Sequence, residues 1–117
     1  MNTYFYFQIA VTIIFVSFGQ ILFKYSSMLL NRGYEALSIN VIGCVFLAFL
    51  SAGLGSIIWI ILLRNIDLSR AYPFMALSFI LVPLLGFIFF NEQLSTPYLI
   101  GAMFVISGIT IIAKYGY

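Results

Sequence analysis

Residues 39–63 read INVIGCVFLAFLSAGLGSIIWIILL, an apolar run without one charged side chain. A hydrocarbon core of about 30 Å needs roughly 20 residues of helix to cross it. This run is long enough, and it lacks the polar face that a helix on the surface of a soluble protein turns toward water. It predicts a transmembrane helix.

Working outward, the same pattern recurs at about residues 4–30, at 72–90 and at about 98–113, the last of these short and borrowing residues at each end. The intervening segments, Asn31 to Glu35, Arg64 to Arg70 and Asn91 to Pro97, hold most of the charge and the turn formers. None is long enough to separate domains, so residues 1–117 read as a single all-α transmembrane domain of four spans. Composition agrees. Apolar and aromatic residues make up 64% of the chain and charged residues 7%, against about 25% charge in a soluble domain. A chain of 117 residues cannot hide that much apolar surface within itself, so lipid must cover the rest. The leader Met1-Asn2-Thr3 has no Lys or Arg, and no small-x-small cleavage pattern follows the first run, so that run is expected to be retained as a span.

The net charge of +2 arises from Lys24, Arg32, Arg64, Arg70 and Lys114 against Glu35, Asp67 and Glu92, too few and too scattered for a nucleic-acid footprint. There is no histidine, and the single Cys44 lies in an apolar run, where it reads as packing. No metal or cofactor is expected. No cluster of nucleophile, base and orienting group is present, so an enzyme is not expected either. An even number of spans puts both termini on one side with the second loop. Arg64, Arg70 and Lys114 then face Lys24 and Arg32 across the membrane. That small excess leans toward cytoplasmic termini and leaves dual insertion, and with it an antiparallel homodimer, open.

On a helical wheel of the first span, Gln8, Thr12, Ser17, Gly19, Gln20, Lys24 and Ser27 fall in one half. The other half holds Phe7, Ala10, Val11, Ile14, Phe15, Phe18, Ile21 and Leu22. An unpaired amide in hydrocarbon costs several kcal/mol, so the polar half should face protein or a water-filled groove. Interhelical hydrogen bonding and a lined pathway both satisfy that demand. Lys24 shares its face with Gln20 one turn away, which favours the pathway. Snorkelling to the interface is the plainer account of Lys24, and it weakens if the helix continues to Leu30. Glu92 emerges on the same membrane side and is then within reach of Lys24. In the third span, Tyr72, Ala76, Phe79, Pro83, Gly86 and Phe90 share a stripe. Pro83 frees the carbonyl of Phe79 and predicts a kink, which can line a cavity or be purely architectural. In the fourth, Gly101, Val105, Gly108 and Ile112 share a stripe where a second backbone can approach closely, within the chain or across a dimer.

These residues resemble two related groups of the drug/metabolite transporter superfamily. The small multidrug resistance transporters are similar in four-helix layout, in Gly19-Gln20-Ile21-Leu22-Phe23-Lys24, in Ala71-Tyr72 and in the spaced glycines of the last span. The likeness is closer to the paired small subunits that flip undecaprenyl-phosphate aminoarabinose, through Gly19-Gln20, Trp59 with Leu63 and Asn65, Ala71-Tyr72-Pro73, and Glu92 at the family spacing. One departure separates the two groups. Proton-coupled multidrug exporters carry a glutamate three residues before the glycine, and here that position is Val16. A valine neither exchanges protons nor balances a cationic drug. Basic residues at both edges suit an anionic phosphate headgroup instead.

The resemblance implies a flippase, or a flippase subunit, for a polyprenyl-phosphate-linked sugar in the bacterial cytoplasmic (inner) membrane. It implies work as an eight-helix homodimer, or as a heterodimer with a sister four-helix subunit. Gln20, Lys24, Trp59, Arg64, Arg70, Tyr72 and Glu92 are the expected substrate-binding residues, and Gly101, Val105 and Gly108 the expected dimer contact. The alternatives are a small-solute exporter of the multidrug type and a non-transporting membrane partner of a glycosyltransferase.

Overall fold

The computed structural model describes residues 3–116; Met1 and Asn2 of the leader, and Tyr117, lie outside the described residues. Helix α1 runs over Thr3–Asn31 and α2 over Ile39–Leu63. The third span is composite: α3 (Leu68–Ala71) leads through a 3₁₀ helix (Tyr72–Leu77) into α4 (Ser78–Phe90). Helix α5 covers Thr96–Tyr115. Four helical stretches, with Leu68–Phe90 as the third, are therefore long and apolar enough to cross a membrane.

The third span begins before the expected Tyr72, because Asp67 adopts an extended conformation and the chain turns helical at Leu68. The fourth runs over Thr96–Tyr115, taking in residues beyond 98–113 at each end. Ser95 accepts the amide of Tyr98 at 3.2 Å, and Pro97, in the first turn, has no amide hydrogen left unsatisfied. Helix α1 stops at Gly33, whose φ of 98° is one that only glycine adopts freely. The amide of Tyr34 then closes the end on the carbonyl of Leu29 at 3.1 Å.

Helices α1 and α2 form the tightest pair, because small residues face each other where they cross. A Cβ added to Gly19 would lie 3.1 Å from the carbonyl oxygen of Ala48, and one added to Gly55 would lie 3.1 Å from Phe15 Cβ and 3.3 Å from the Thr12 carbonyl oxygen. At the same crossing the Ser51 hydroxyl donates to the carbonyl of Phe15 at 2.7 Å. Close approach and one interhelical hydrogen bond are what hold helices together where hydrophobicity provides no drive. Of the apolar half of α1, Phe7, Ile14 and Phe18 are exposed, whereas Phe15 takes part in the crossing.

A small core gathers at the end of the molecule that holds the N-terminus. Phe5, Ile9 and Ile13 of α1 meet Leu62, Ala71, Phe74 and Ile109 there. The rings of Phe5 and Phe74 pack edge to face, with centroids 5.5 Å apart. Helix α1 contacts both α2 and α4, so it is the central element. Helix α5 sits at the margin and rests against the 3₁₀ helix, with Ile109 as its one fully buried side chain among the described residues. The assembly measures 50 × 36 × 19 Å. The molecule is therefore flattened, its shortest dimension well under half its longest.

Candidate functional site

The polar half of α1 divides in two. Thr12 and Gly19 are buried against α2, and the Thr12 hydroxyl is used up on the carbonyl of Gln8 at 2.9 Å. Gln20 and Lys24 are exposed and line a cleft of about 460 Å³ opposite Val82, Pro83 and Gly86 of α4. Lys24 is not at a helix end: α1 continues for seven residues beyond it to Asn31, about 10 Å of helix.

Glu92 also lines this cleft, and the backbone dictates how it gets there. Asn91 sits in the left-handed region, with φ 55°. Its amide and that of Glu92 both donate to the carbonyl of Gly86, the latter at 3.3 Å. The chain thus folds back on α4, and the Glu92 carboxylate comes to rest over Gly86. A Cβ at Gly86 would lie 3.1 Å from Glu92 Oε1. Glycine at this position leaves the space to the carboxylate, which would have to give by a few tenths of an ångström for any larger residue. Lys24, Gln20, Pro83 and Glu92, separate in the chain, therefore share one cavity.

The cleft continues along α4 into a second hollow of about 290 Å³ that shares Gln20, Val82 and Pro83 with the first. Val16, which stands where the proton-coupled exporters carry their glutamate, lines this extension. Its far wall includes Tyr98 of α5, whose hydroxyl donates to the carbonyl of Phe79. Sequence reasoning identified the freed carbonyl but not its partner. The signal was weak, because a phenol bonding to main chain leaves no spacing pattern behind.

The other candidate residues lie elsewhere. Trp59 and Tyr72 meet ring edge to ring face with centroids 6.3 Å apart. Arg64 caps the end of α2 and is exposed, and Arg70 is half-buried on α3. This group belongs to the end of the molecule where the first turns of α1 adjoin the end of α2. Gln8 of that end and Lys24 are sixteen residues apart on one helix, about 24 Å along its axis. The structure therefore makes two clusters, not one. On α5, Cβ atoms added at Gly101 and Gly108 would meet nothing within 4 Å, whereas Val105 packs against the core. Pro83 lies inside helix α4, and the 3₁₀ helix that contains Pro73 precedes it in the same span.

Comparison with known proteins supplies the context. The model of the EamA-like transporter family matches residues 2–114. The probable 4-amino-4-deoxy-L-arabinose-phosphoundecaprenol flippase subunit ArnE of Pseudomonas aeruginosa (strain LESB58) is 33% identical over 69 residues, 59% of this chain and 60% of that protein. The protein of the same name from Yersinia pseudotuberculosis serotype O:1b (strain IP 31758) is 34% identical over 67 residues, 57% of this chain and 59% of its own. The chain thus spans about 60% of the length of the curated relatives it matches. No solved structure matches it. Four helices long and apolar enough to cross a membrane among the described residues and a family match over nearly the whole length lead to one conclusion: the chain belongs to the EamA-like transporter family.

Proposed function

We propose that this protein is a flippase, or one subunit of a flippase, that carries a polyprenyl-phosphate-linked sugar across the bacterial cytoplasmic membrane. The observation that carries the reading is the cleft where Lys24 and Gln20 stand on an exposed flank of α1. An ammonium held more than one turn inside a membrane helix is costly unless it serves an ion pathway or a ligand. A phosphate is the anion that an ammonium and a neighbouring carboxamide suit best. In this reading the lipid tail stays in the bilayer while the headgroup enters the cleft. Lys24 attracts the phosphate, Gln20 hydrogen-bonds the headgroup, and Glu92 competes for Lys24 and tunes its availability. At the other edge, Arg64 or Arg70 exchanges the phosphate with the aqueous side, and the Trp59–Tyr72 pair offers an aromatic wall. Val16 in the groove disfavours proton-coupled export of cations, the rival reading.

The cleft of a single chain is open rather than enclosed. A second copy, or a sister four-helix subunit, laid against it completes the route, and the curated relatives are themselves named as flippase subunits. The open stripe of Gly101 and Gly108 on α5 is where that second chain packs.

The test is headgroup translocation in proteoliposomes. Lys24→Ala is expected to slow it by at least about tenfold, the equivalent of 1.4 kcal/mol; a rate equal to the parent's removes Lys24 from the mechanism. Proton-competed binding of organic cations would favour the multidrug-type exporter instead. Co-purification with a glycosyltransferase, without transport, would favour a non-transporting partner.

A further inference from the structure

The end of α1 remote from Lys24 holds a second cavity, of about 240 Å³, where the first turns of α1 adjoin the last turn of α2 and the loop after it. Its lining is Tyr4, Phe5, Gln8, Ile61, Leu62, Asn65 and Ile66, with no charged side chain among these described residues. Gln8 is half-buried on an otherwise apolar helix. Neither its carboxamide nor that of Asn65 is engaged by the protein among the described residues, since the amide hydrogen of Asn65 goes to Leu62 through the backbone alone. Each carboxamide carries two donors and an acceptor with two lone pairs. Asn65 is exposed in the turn after α2 and keeps its carboxamide free for a ligand, whereas Gln8, half-buried on an apolar helix, costs free energy if left unpaired, so the site favours a ligand that supplies several neutral hydrogen-bonding groups at once. Tyr4 and Phe5 add aromatic surface against which the C–H face of a ring can lie.

Resting on the flippase reading above, we infer that this cavity is a separate station for the sugar: a site for one neutral, hydroxyl-rich pyranose, held by Gln8 and Asn65 over an aromatic wall. Its volume is below the roughly 300–1,000 Å³ of drug-sized pockets, which suits a monosaccharide and not an oligosaccharide. Arg64 adjoins Asn65 in the chain and is exposed, so a phosphate attached to that sugar has a cation at the rim. The two ends of α1 thus divide the ligand's chemistry. The Lys24 cleft reads charge, and the Gln8–Asn65 cavity reads hydroxyls.

The experiment uses the full chain in lipid nanodiscs and two probes. Saturation-transfer NMR with a methyl pyranoside reports the sugar, and competition with a short-chain prenyl phosphate that lacks sugar reports the anion. Gln8→Leu and Asn65→Leu are each expected to reduce the glycoside signal at least about fivefold, as the loss of a hydrogen-bonding pair implies. Lys24→Ala should weaken prenyl-phosphate binding and leave the glycoside signal in place. Phosphate binding by Gln8→Leu doubles as proof that the variant is folded; should it fail, Gln8→Glu, which keeps the size and the acceptor, takes its place. No glycoside signal from the parent, a signal indifferent to both Leu variants, or one lost only in Lys24→Ala would each overturn the sugar station. None of these touches the Lys24 result, so a failed sugar station and a failed flippase assignment are told apart.

Discussion

The phenolic hydroxyl of Tyr98 donates to the main-chain carbonyl of Phe79, the oxygen that Pro83 leaves without a helical partner. A proline in mid-helix removes one hydrogen bond from the ladder, and in hydrocarbon the orphaned carbonyl must find another donor. Here the donor comes from α5, at a point bordering the groove. Tyr98→Phe should destabilise the protein by about 0.5–2 kcal/mol, the range for interhelical hydrogen bonds in membranes. Pro83→Ala restores the amide hydrogen, so in that background Tyr98→Phe should cost far less. A thermal-unfolding cycle over the four proteins measures the coupling; strict additivity would show that the two residues act independently.

The α1–α2 crossing predicts a contrast between two glycines on one helix. Gly55→Ala pushes a methyl group against Phe15 Cβ and the Thr12 carbonyl, at 3.1 and 3.3 Å, and should lower stability by about 1–3 kcal/mol. Gly53→Ala meets nothing within 4 Å and should leave stability unchanged or raise it slightly through helix propensity. Equal losses at both positions in a thermal-shift assay would contradict the packing described.

Removing the negative charge in the cleft should strengthen anion binding. Glu92→Gln keeps the shape over Gly86 and deletes the charge that competes for Lys24. The expected gain for a short-chain prenyl phosphate is about three- to tenfold, corresponding to roughly 1 kcal/mol across a partly solvated cleft. A loss of affinity would mean that Glu92 contributes favourably to ligand binding.

Asn91 tests the turn that delivers Glu92. Its left-handed conformation, φ 55°, tolerates glycine but penalises β-branched residues. Asn91→Gly should be close to neutral, and Asn91→Val should cost about 1–2 kcal/mol. If translocation also falls in the valine variant while α1 and α2 stay intact by circular dichroism and cross-linking, the position of the carboxylate matters to transport.

The spans were legible because hydrocarbon imposes strict rules of length and polarity, and Ile39–Leu63 obeys them without an exception. That Lys24 and Glu92 share a cleft follows from alternation: α1 and α4, the first and third spans, run in the same direction, so the later part of one lies beside the end of the other. Less could be read of the polar side of α1. A wheel groups Thr12 and Gly19 with Gln20 and Lys24, yet the first pair packs on α2 and the second faces the cleft. A single helix does not say where its neighbours stand. Nor does it show that Ser51 reaches across to Phe15, or that Asn91 bends the chain, since both depend on backbone geometry set by distant contacts.

Helix α5 is fastened to the rest of the chain chiefly through Ile109 and the Tyr98 hydroxyl, while α1 is gripped on both sides. Substitutions along most of α5 therefore leave the groove undisturbed, and their effects are confined to whatever lies alongside it. If the proposed second chain lies along α5, the surface that chooses it can therefore change in sequence without altering the residues that line the cleft.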